Sequence, residues 1–148
     1  MRFFHVLSFI ARVIVGGVFL AAGILKVGHA PDLGSTIVAF RLGLPPAFVG
    51  FSALALPLFE IVLGAYLLLG WQLRIVSVVS VALLAVFIAA LASVVIRGIP
   101  TPCGCFGPRE TDPVTWWTVA RDGAAIIPAI YLVWWSWRPP SDDRSSTG

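Results

Sequence analysis

Two cysteines, Cys103 and Cys105, are the residues whose type and spacing point most directly to chemistry. They are the only cysteines in 148 residues, and one glycine separates them in the run CGCFG, within a Gly- and Pro-rich segment at 98–113. Two thiols this close can form a reversible disulfide, bind a soft metal ion such as Cu(I) or Hg(II), or simply fill space. Because turn-rich segments offer little core to fill, the sequence favours exchange or binding chemistry.

A disulfide between Cys103 and Cys105 would close a short, strained ring, and strained disulfides are reduced more easily than structural ones. Gly104 supplies the backbone freedom that such a ring requires. So small a loop would add little stability through chain entropy. A closed metal site needs about four ligands, and the only histidines are His5 and His29. The spacing therefore favours thiol–disulfide exchange, with soft-metal binding by the two cysteines as the alternative.

The composition of the chain places these thiols beside a membrane. Hydrophobic residues make up 59% of the chain and charged residues 11%, whereas soluble domains carry about 25% charged residues. The Lys and Arg residues lie mainly near the ends of apolar runs, as membrane-flanking residues do, so the net charge of +3 does not indicate nucleic-acid binding. The sequence predicts an integral membrane protein with one compact domain.

Four apolar segments predict an all-α membrane protein, a four-transmembrane-helix bundle over residues 1–137. A secretory signal peptide is the competing interpretation of the first segment, but Arg12 interrupts its apolar run. Within the connector that follows it, Ser35 to Leu42 could form a short interfacial helix. The predicted spans are about 3–25, 47–69, 75–96 and 114–137, with the cysteine loop at 98–113 and a disordered tail at 138–148.

Ionisable residues inside the spans are expected to face a partner or a cavity. Counting along the helices puts Arg12 and Glu60 at a similar depth, which predicts a structural buried ion pair between them. Lys26, Arg121 and Asp122 lie toward the cysteine end. A cation there, with the N-terminus of the fourth helix, would favour a thiolate, and Asp122 would orient Arg121 or relay a proton. The alternative is that Arg121 and Asp122 only satisfy each other.

Small residues at helical spacing predict where the spans pack closely. On the first two spans the small residues share a stripe with the charged ones, and the third span carries an alanine seam without chemistry. The stripes consist of Arg12, Gly16, Phe19, Gly23 and Lys26 on the first span, Ala53, Pro57, Glu60 and Gly64 on the second, Ala82, Ala85, Ala89 and Ala92 on the third, and Arg121, Ala125 and Pro128 on the fourth.

Together these motifs resemble the MauE family of methylamine-utilisation proteins, within the wider group of DoxX-like membrane proteins. The likeness covers about residues 8–135 and rests on three groups of residues. These are the CGCFG run with Trp117 and the Arg121–Asp122 pair, then Arg12, Lys26 and the glycines between them, and the pattern Pro57-x-x-Glu60-x-x-x-Gly64. The resemblance implies a DoxX-like four-helix protein that works with a thioredoxin-like partner outside the cytoplasm, with a quinone as the electron acceptor it suggests.

The leading hypothesis is a membrane thiol–disulfide oxidoreductase or electron conduit in which Cys103 and Cys105 cycle between dithiol and disulfide. The alternatives are a non-enzymatic membrane subunit or assembly factor and a protein that handles soft metals (Cu or Hg). Flanking charges on the two sides of the four spans tie in number, and adding Arg12 favours cytoplasmic termini. The cysteine loop would then lie outside the cytoplasmic membrane of a bacterium.

Overall fold

A computed structural model describes residues 2–101 and 113–138 of the chain. Three of the helices it describes are long and apolar enough to cross a membrane: α1 (Arg2–Lys26), α3 (Pro46–Leu69) and α4 (Leu73–Ile96). This confirms an all-helical, multi-pass membrane protein. The three helices overlap the first three predicted spans, and the count of four spans stays a prediction. Both cysteines and the predicted tail from residue 139 lie outside the described residues, so those predictions stay predictions. The described helices are α1 Arg2–Lys26, α2 Ala30–Ala39, α3 Pro46–Leu69, α4 Leu73–Ile96, α5 Trp116–Ala124 and α6 Ile126–Ser136.

The predicted fourth span consists of two helices with a break at Ala125. Pro128 explains the break, because a proline has no N–H to donate to the carbonyl of Ala124 and its ring clashes with that carbonyl. The predicted bounds of about 114–137 therefore contain two helices. On the C-terminal side of the break, α6 packs against α1 and α4. On its N-terminal side, α5 packs mainly against α4. The break thus separates the first half of the predicted span from α1.

The connector between α1 and α3 contains α2, a helix that begins five residues before the predicted segment Ser35–Leu42. Pro31 accounts for the earlier start, because a proline suits the first turn of a helix. The Arg97 guanidinium, at the end of α4, donates from Nη2 to the Phe40 carbonyl oxygen at 2.6 Å and from Nη1 to that of Arg41 at 3.0 Å. These bonds join the end of α2 to the end of α4.

The most extensive helix pair is α1 with α3, and glycines allow its close approach. A Cβ added to Gly23 would lie 2.7 Å from the Pro57 carbonyl oxygen, and one added to Gly64 would lie 2.7 Å from that of Gly16. These contacts confirm that the predicted stripes on the first two spans face each other. They also set the antiparallel register, in which the numbers of facing residues add up to about 80.

Arg12 does not pair with Glu60, so the predicted ion pair was wrong. Its guanidinium donates from Nε to the Leu67 carbonyl oxygen and from Nη2 to that of Leu68, both at 2.9 Å. The register places Arg12 opposite residue 68, eight residues or roughly 12 Å along α3 from Glu60. The prediction assumed that the two helices are level. Instead, the first turns of α1 extend past the end of α3 and contact α6.

Arg12→Leu is expected to destabilise the α1–α3 pair. It removes two hydrogen bonds from a charged donor, each of which contributes about 1.5–3 kcal/mol. The measurement is the free energy of SDS-induced unfolding of the purified protein in mixed micelles. Arg74→Leu is the matched control, because it removes one exposed bond, from Nε to the Ser136 carbonyl oxygen at 3.0 Å. Equal losses in the two variants would contradict the role of Arg12.

The alanine seam predicted on the third span does not form a helix contact. Ala82, Ala85 and Ala89 are exposed, whereas Ser77 and Ser80 are completely buried. Each serine hydroxyl donates to the backbone carbonyl one turn earlier in α4, so burial leaves neither hydroxyl unsatisfied. The small side chains on the packed side of α4 are therefore these serines.

Candidate functional site

Lys26 and Glu60 form a buried ion pair between the end of α1 and the middle of α3. The Lys26 ammonium donates to Oε1 of Glu60 at 2.8 Å and to Oε2 at 3.1 Å. The two residues are only 4% and 7% exposed. Lys26 is the last residue of α1, where the helix dipole favours a cation. The pair fixes opposite charges at a defined point in an apolar interior.

Side-chain direction explains why Lys26 reaches Glu60. In the α1–α3 register Lys26 lies opposite residue 54, roughly 9 Å along the axis from Glu60. The Cα–Cβ bonds of a helix tilt toward its N-terminus. Because α1 and α3 are antiparallel, the Lys26 side chain points toward the middle of the bundle and the Glu60 side chain points back toward it. Two long side chains therefore span an offset that two short ones could not.

A cavity of about 240 Å³ adjoins this ion pair, between α1, α3, α4 and α5. Arg121 and Asp122 of α5 also line it. The Lys26 ammonium lies 5.6 Å from the centroid of the Phe87 ring, a cation–π distance that connects α1 to α4. The cavity lies on the N-terminal side of the break at Ala125. There α5 packs mainly against α4, whereas α6 packs against both α1 and α4. Its apolar walls include Phe19, Ala22, Leu56, Leu84, Phe87 and Ala125.

Arg121 and Asp122 form a second ion pair at this cavity. Arg121 Nε donates to Asp122 Oδ1 at 3.0 Å, and the two side chains are 42% and 12% exposed. The pairing proposed as the structural alternative is therefore present. Arg121 lies five residues after Trp116, about 7.5 Å from the start of α5. The structure thus brings Lys26, Arg121 and Asp122 to one cavity. It also places Glu60 there, although the sequence predicted that Glu60 would pair with Arg12.

The two ends of the cysteine segment meet at the same end of the bundle. The Val114 N–H donates to the Thr101 carbonyl oxygen at 2.9 Å, and both residues are buried. Residues 102–112 begin and end at this point, and α5 starts two residues after Val114. The segment that carries the thiols therefore joins the fold within about two helical turns of Arg121.

Among residues 2–101 and 113–138, no group of three or more His, Cys, Asp and Glu side chains is arranged to hold a metal ion. The soft-metal alternative, in which Cys103 and Cys105 are the ligands, falls on the segment outside the described residues.

Two comparisons with known proteins agree with each other. The family model described as methylamine utilisation protein MauE matches residues 4–135. The methylamine utilization protein MauE of Paracoccus denitrificans is 34% identical over 112 residues, which is 75% of this chain and 60% of that relative. The chain therefore matches about 60% of the length of that relative. No solved structure matches the chain.

Proposed function

The chain belongs to the MauE family, and from that premise we propose that it is a membrane thiol–disulfide oxidoreductase or electron conduit of a methylamine-utilisation system. Cys103 and Cys105 cycle between dithiol and disulfide in exchange with a thioredoxin-like protein outside the cytoplasm. The observation that carries the proposal is the charged cavity beside the point where the cysteine segment joins the bundle.

The electrostatics of this end of the bundle support exchange chemistry. Thiol–disulfide exchange requires a thiolate, which a nearby cation or a helix N-terminus stabilises. Arg121 lies about 7.5 Å along the axis from the start of α5, and the N-terminus of α5 adds a partial positive charge. Asp122 orients the Arg121 guanidinium through their ion pair. Lys26 is the second cation of the same cavity.

The topology of the proposal has α5 and α6 crossing the membrane together as a broken fourth span. From 116 to 136 they contain 21 residues, which at 1.5 Å per residue cover about 31 Å, the thickness of a hydrocarbon core. Exposed tryptophans lie at both ends, as interfacial residues do: Trp116, Trp117, Trp134 and Trp137. In this arrangement both termini are cytoplasmic, and α2 and the cysteine segment lie outside the cytoplasmic membrane of a bacterium.

Thiol labelling in intact cells tests the redox state and the side of the membrane together. We expect Cys103 and Cys105 to resist a membrane-impermeant maleimide reagent until the cells are treated with a reductant, and then to take two labels per chain. Cys103→Ser should take one label without reduction, because its remaining thiol has no partner. Labelling that never depends on reductant or oxidant would contradict the proposal and favour a non-enzymatic subunit.

A cysteine at the opposite end of the bundle is the control for sidedness. Gln72→Cys, placed in the turn between α3 and α4, is tested in a chain that also carries Cys103→Ser and Cys105→Ser. We expect this single thiol to react only after the membrane is permeabilised. Reaction in intact cells would reverse the proposed orientation.

A further inference from the structure

Two exposed arginines, Arg74 and Arg138, lie at the end of the bundle that holds the start of α1 and the end of α6. Neither forms an ion pair within the described part of the chain. The acidic residues that the structure describes lie elsewhere: Glu60 and Asp122 belong to the cavity pairs, and Asp32 lies in α2 at the opposite end. The described residues therefore leave the positive charge of these two arginines uncompensated.

Arg74 lies in a surface groove between the start of α4 and the end of α6. The groove has a volume of about 380 Å³ and is lined by Gln72, Leu73, Arg74, Trp135 and Ser136. The Arg74 guanidinium donates from Nε to the Ser136 carbonyl oxygen at 3.0 Å, which fixes it at the groove. A guanidinium has five N–H donors. The four on the Nη atoms of Arg74 bond nothing in the described part of the chain, so they are available to an acceptor.

Arg138 contacts the indole of Trp135, which lines the same groove. Its guanidinium carbon lies 5.7 Å from the centroid of the Trp135 ring and 3.4 Å from that of Trp134. A guanidinium stacked on an aromatic face keeps its N–H donors at the edge of its plane. The Trp135 ring is held in turn by an edge contact with His5 of α1, with the centroids 5.2 Å apart. One indole therefore connects two arginines that both have donors to offer.

The position of the groove points to a phosphate group of the membrane. The groove lies at the first turn of α4, a helix long and apolar enough to cross a membrane. Trp71 and Trp137 flank its residues in the sequence and are exposed, as residues at the membrane interface are. Lipid phosphates occupy that layer, and the planar fork of an arginine matches phosphate oxygens in a bidentate manner.

The surface next to the groove distinguishes a phospholipid from a free phosphate ion. Val78 lies one turn after Arg74 on the same face of α4, and Ala82 lies one turn further. Both are exposed. A lipid whose phosphate meets Arg74 would place an acyl chain along this apolar face, whereas a free ion would gain nothing from it.

We propose that the groove binds the phosphate of an anionic phospholipid, with Arg74 and Arg138 as its cationic contacts. A zwitterionic headgroup brings its own cation and would meet two others here, so the site favours a lipid with net negative charge. Basic pockets at the cytoplasmic face of membrane proteins bind such headgroups, and in the proposed topology this end of the bundle is cytoplasmic. The inference does not depend on the proposed thiol chemistry.

Native mass spectrometry of the full chain in detergent tests the site by counting bound lipids during a titration. The probes are dioleoylphosphatidylglycerol, which is anionic, and dioleoylphosphatidylcholine, which is zwitterionic. We expect one phosphatidylglycerol to bind in a saturable manner, about fivefold or more tightly than phosphatidylcholine. Arg74→Gln and Arg138→Gln should each weaken its binding by about fivefold, the effect of removing one cation at a membrane surface.

Arg41→Gln is the matched control, because it removes an exposed cation at the opposite end of the bundle and should leave the affinity unchanged. Gln72→Glu keeps both arginines and adds a negative charge to the groove. It should also weaken phosphatidylglycerol binding, and it provides a second measurement if Arg74→Gln fails to fold. Equal affinity for the two lipids, or an equal loss in Arg41→Gln, would overturn the proposal. Displacement of the lipid by excess inorganic phosphate would identify a free ion as the ligand and would overturn it as well.

Discussion

Lys26→Met is expected to lower the free energy of unfolding by about 3–5 kcal/mol, because it removes one partner of a buried ion pair. Both hydrogen bonds that the described part of the chain gives Glu60 come from Lys26. Glu60 is only 7% exposed, so the substitution leaves a carboxylate without its charged partner in a largely apolar interior. The measurement is SDS-induced unfolding of the purified protein in mixed micelles.

A double variant separates the ion pair from general damage at the site. Replacing both members of a buried pair by apolar residues is often neutral or stabilising, so Lys26→Met with Glu60→Leu should recover most of the loss. Arg41→Met, at an exposed cation of the same end of the bundle, should stay within about 0.5 kcal/mol of the unmodified chain. A double variant as unstable as Lys26→Met alone would contradict the role of the pair.

The facing surfaces of α1 and α3 could be predicted because they follow from spacing within each helix. Glycines three and four residues from the charged positions fall on one stripe whatever the partner does. A carbon on Gly23 or Gly64 would meet backbone of the opposite helix, so these positions are where the predicted stripes meet.

The offset between helices could not be predicted from the same pattern. A stripe defines a face but does not set how far one helix slides along another, and a slide of about eight residues moves Arg12 from Glu60 to the end of α3. Two signals were available in the sequence. Aligning Gly16 with Gly64 gives the observed register, and the tilt of side chains toward helix N-termini directs Lys26 to Glu60.

The side of α4 that packs against other helices could not be predicted from the sequence for a different reason. This helix is apolar on every side, so periodicity does not distinguish residues that face lipid from residues that face protein. The alanines look suited to close packing but lie on the exposed side. Ser77 and Ser80 were the better signal, because small polar residues in an apolar span favour helix contacts.

The cavity depends on the break in the fourth span. The sequence indicates this break but not where it lies relative to the other helices. Pro128 predicts a break in the fourth span, yet only the packing of α6 on α1 and of α5 on α4 shows which side opens. Glu60 joins the site through the same tertiary arrangement. The charged residues of the site were thus identifiable one by one, whereas their assembly required the offset and the break.

Gly64→Ala is expected to separate α1 from α3 and to cost about 1–3 kcal/mol, the usual range for overpacking. The added Cβ would lie 2.7 Å from the Gly16 carbonyl oxygen and 2.8 Å from the Leu20 nitrogen. Because both are backbone atoms, no rotamer change relieves the contact and the helices must move apart. Gly64→Leu, with a larger side chain, should prevent the pair from forming.

Gly17→Ala is the matched control for this substitution, because a Cβ at Gly17 meets nothing within 4 Å. Alanine is a better helix former than glycine by about 1 kcal/mol, so this variant should be neutral or slightly more stable in SDS-induced unfolding. The same gain in helix propensity applies at Gly64, and therefore the difference between the two variants measures the interhelical clash alone. Equal stabilities would mean that α1 and α3 do not approach closely at Gly64, and that the register placing Gly16 opposite Gly64 is incorrect.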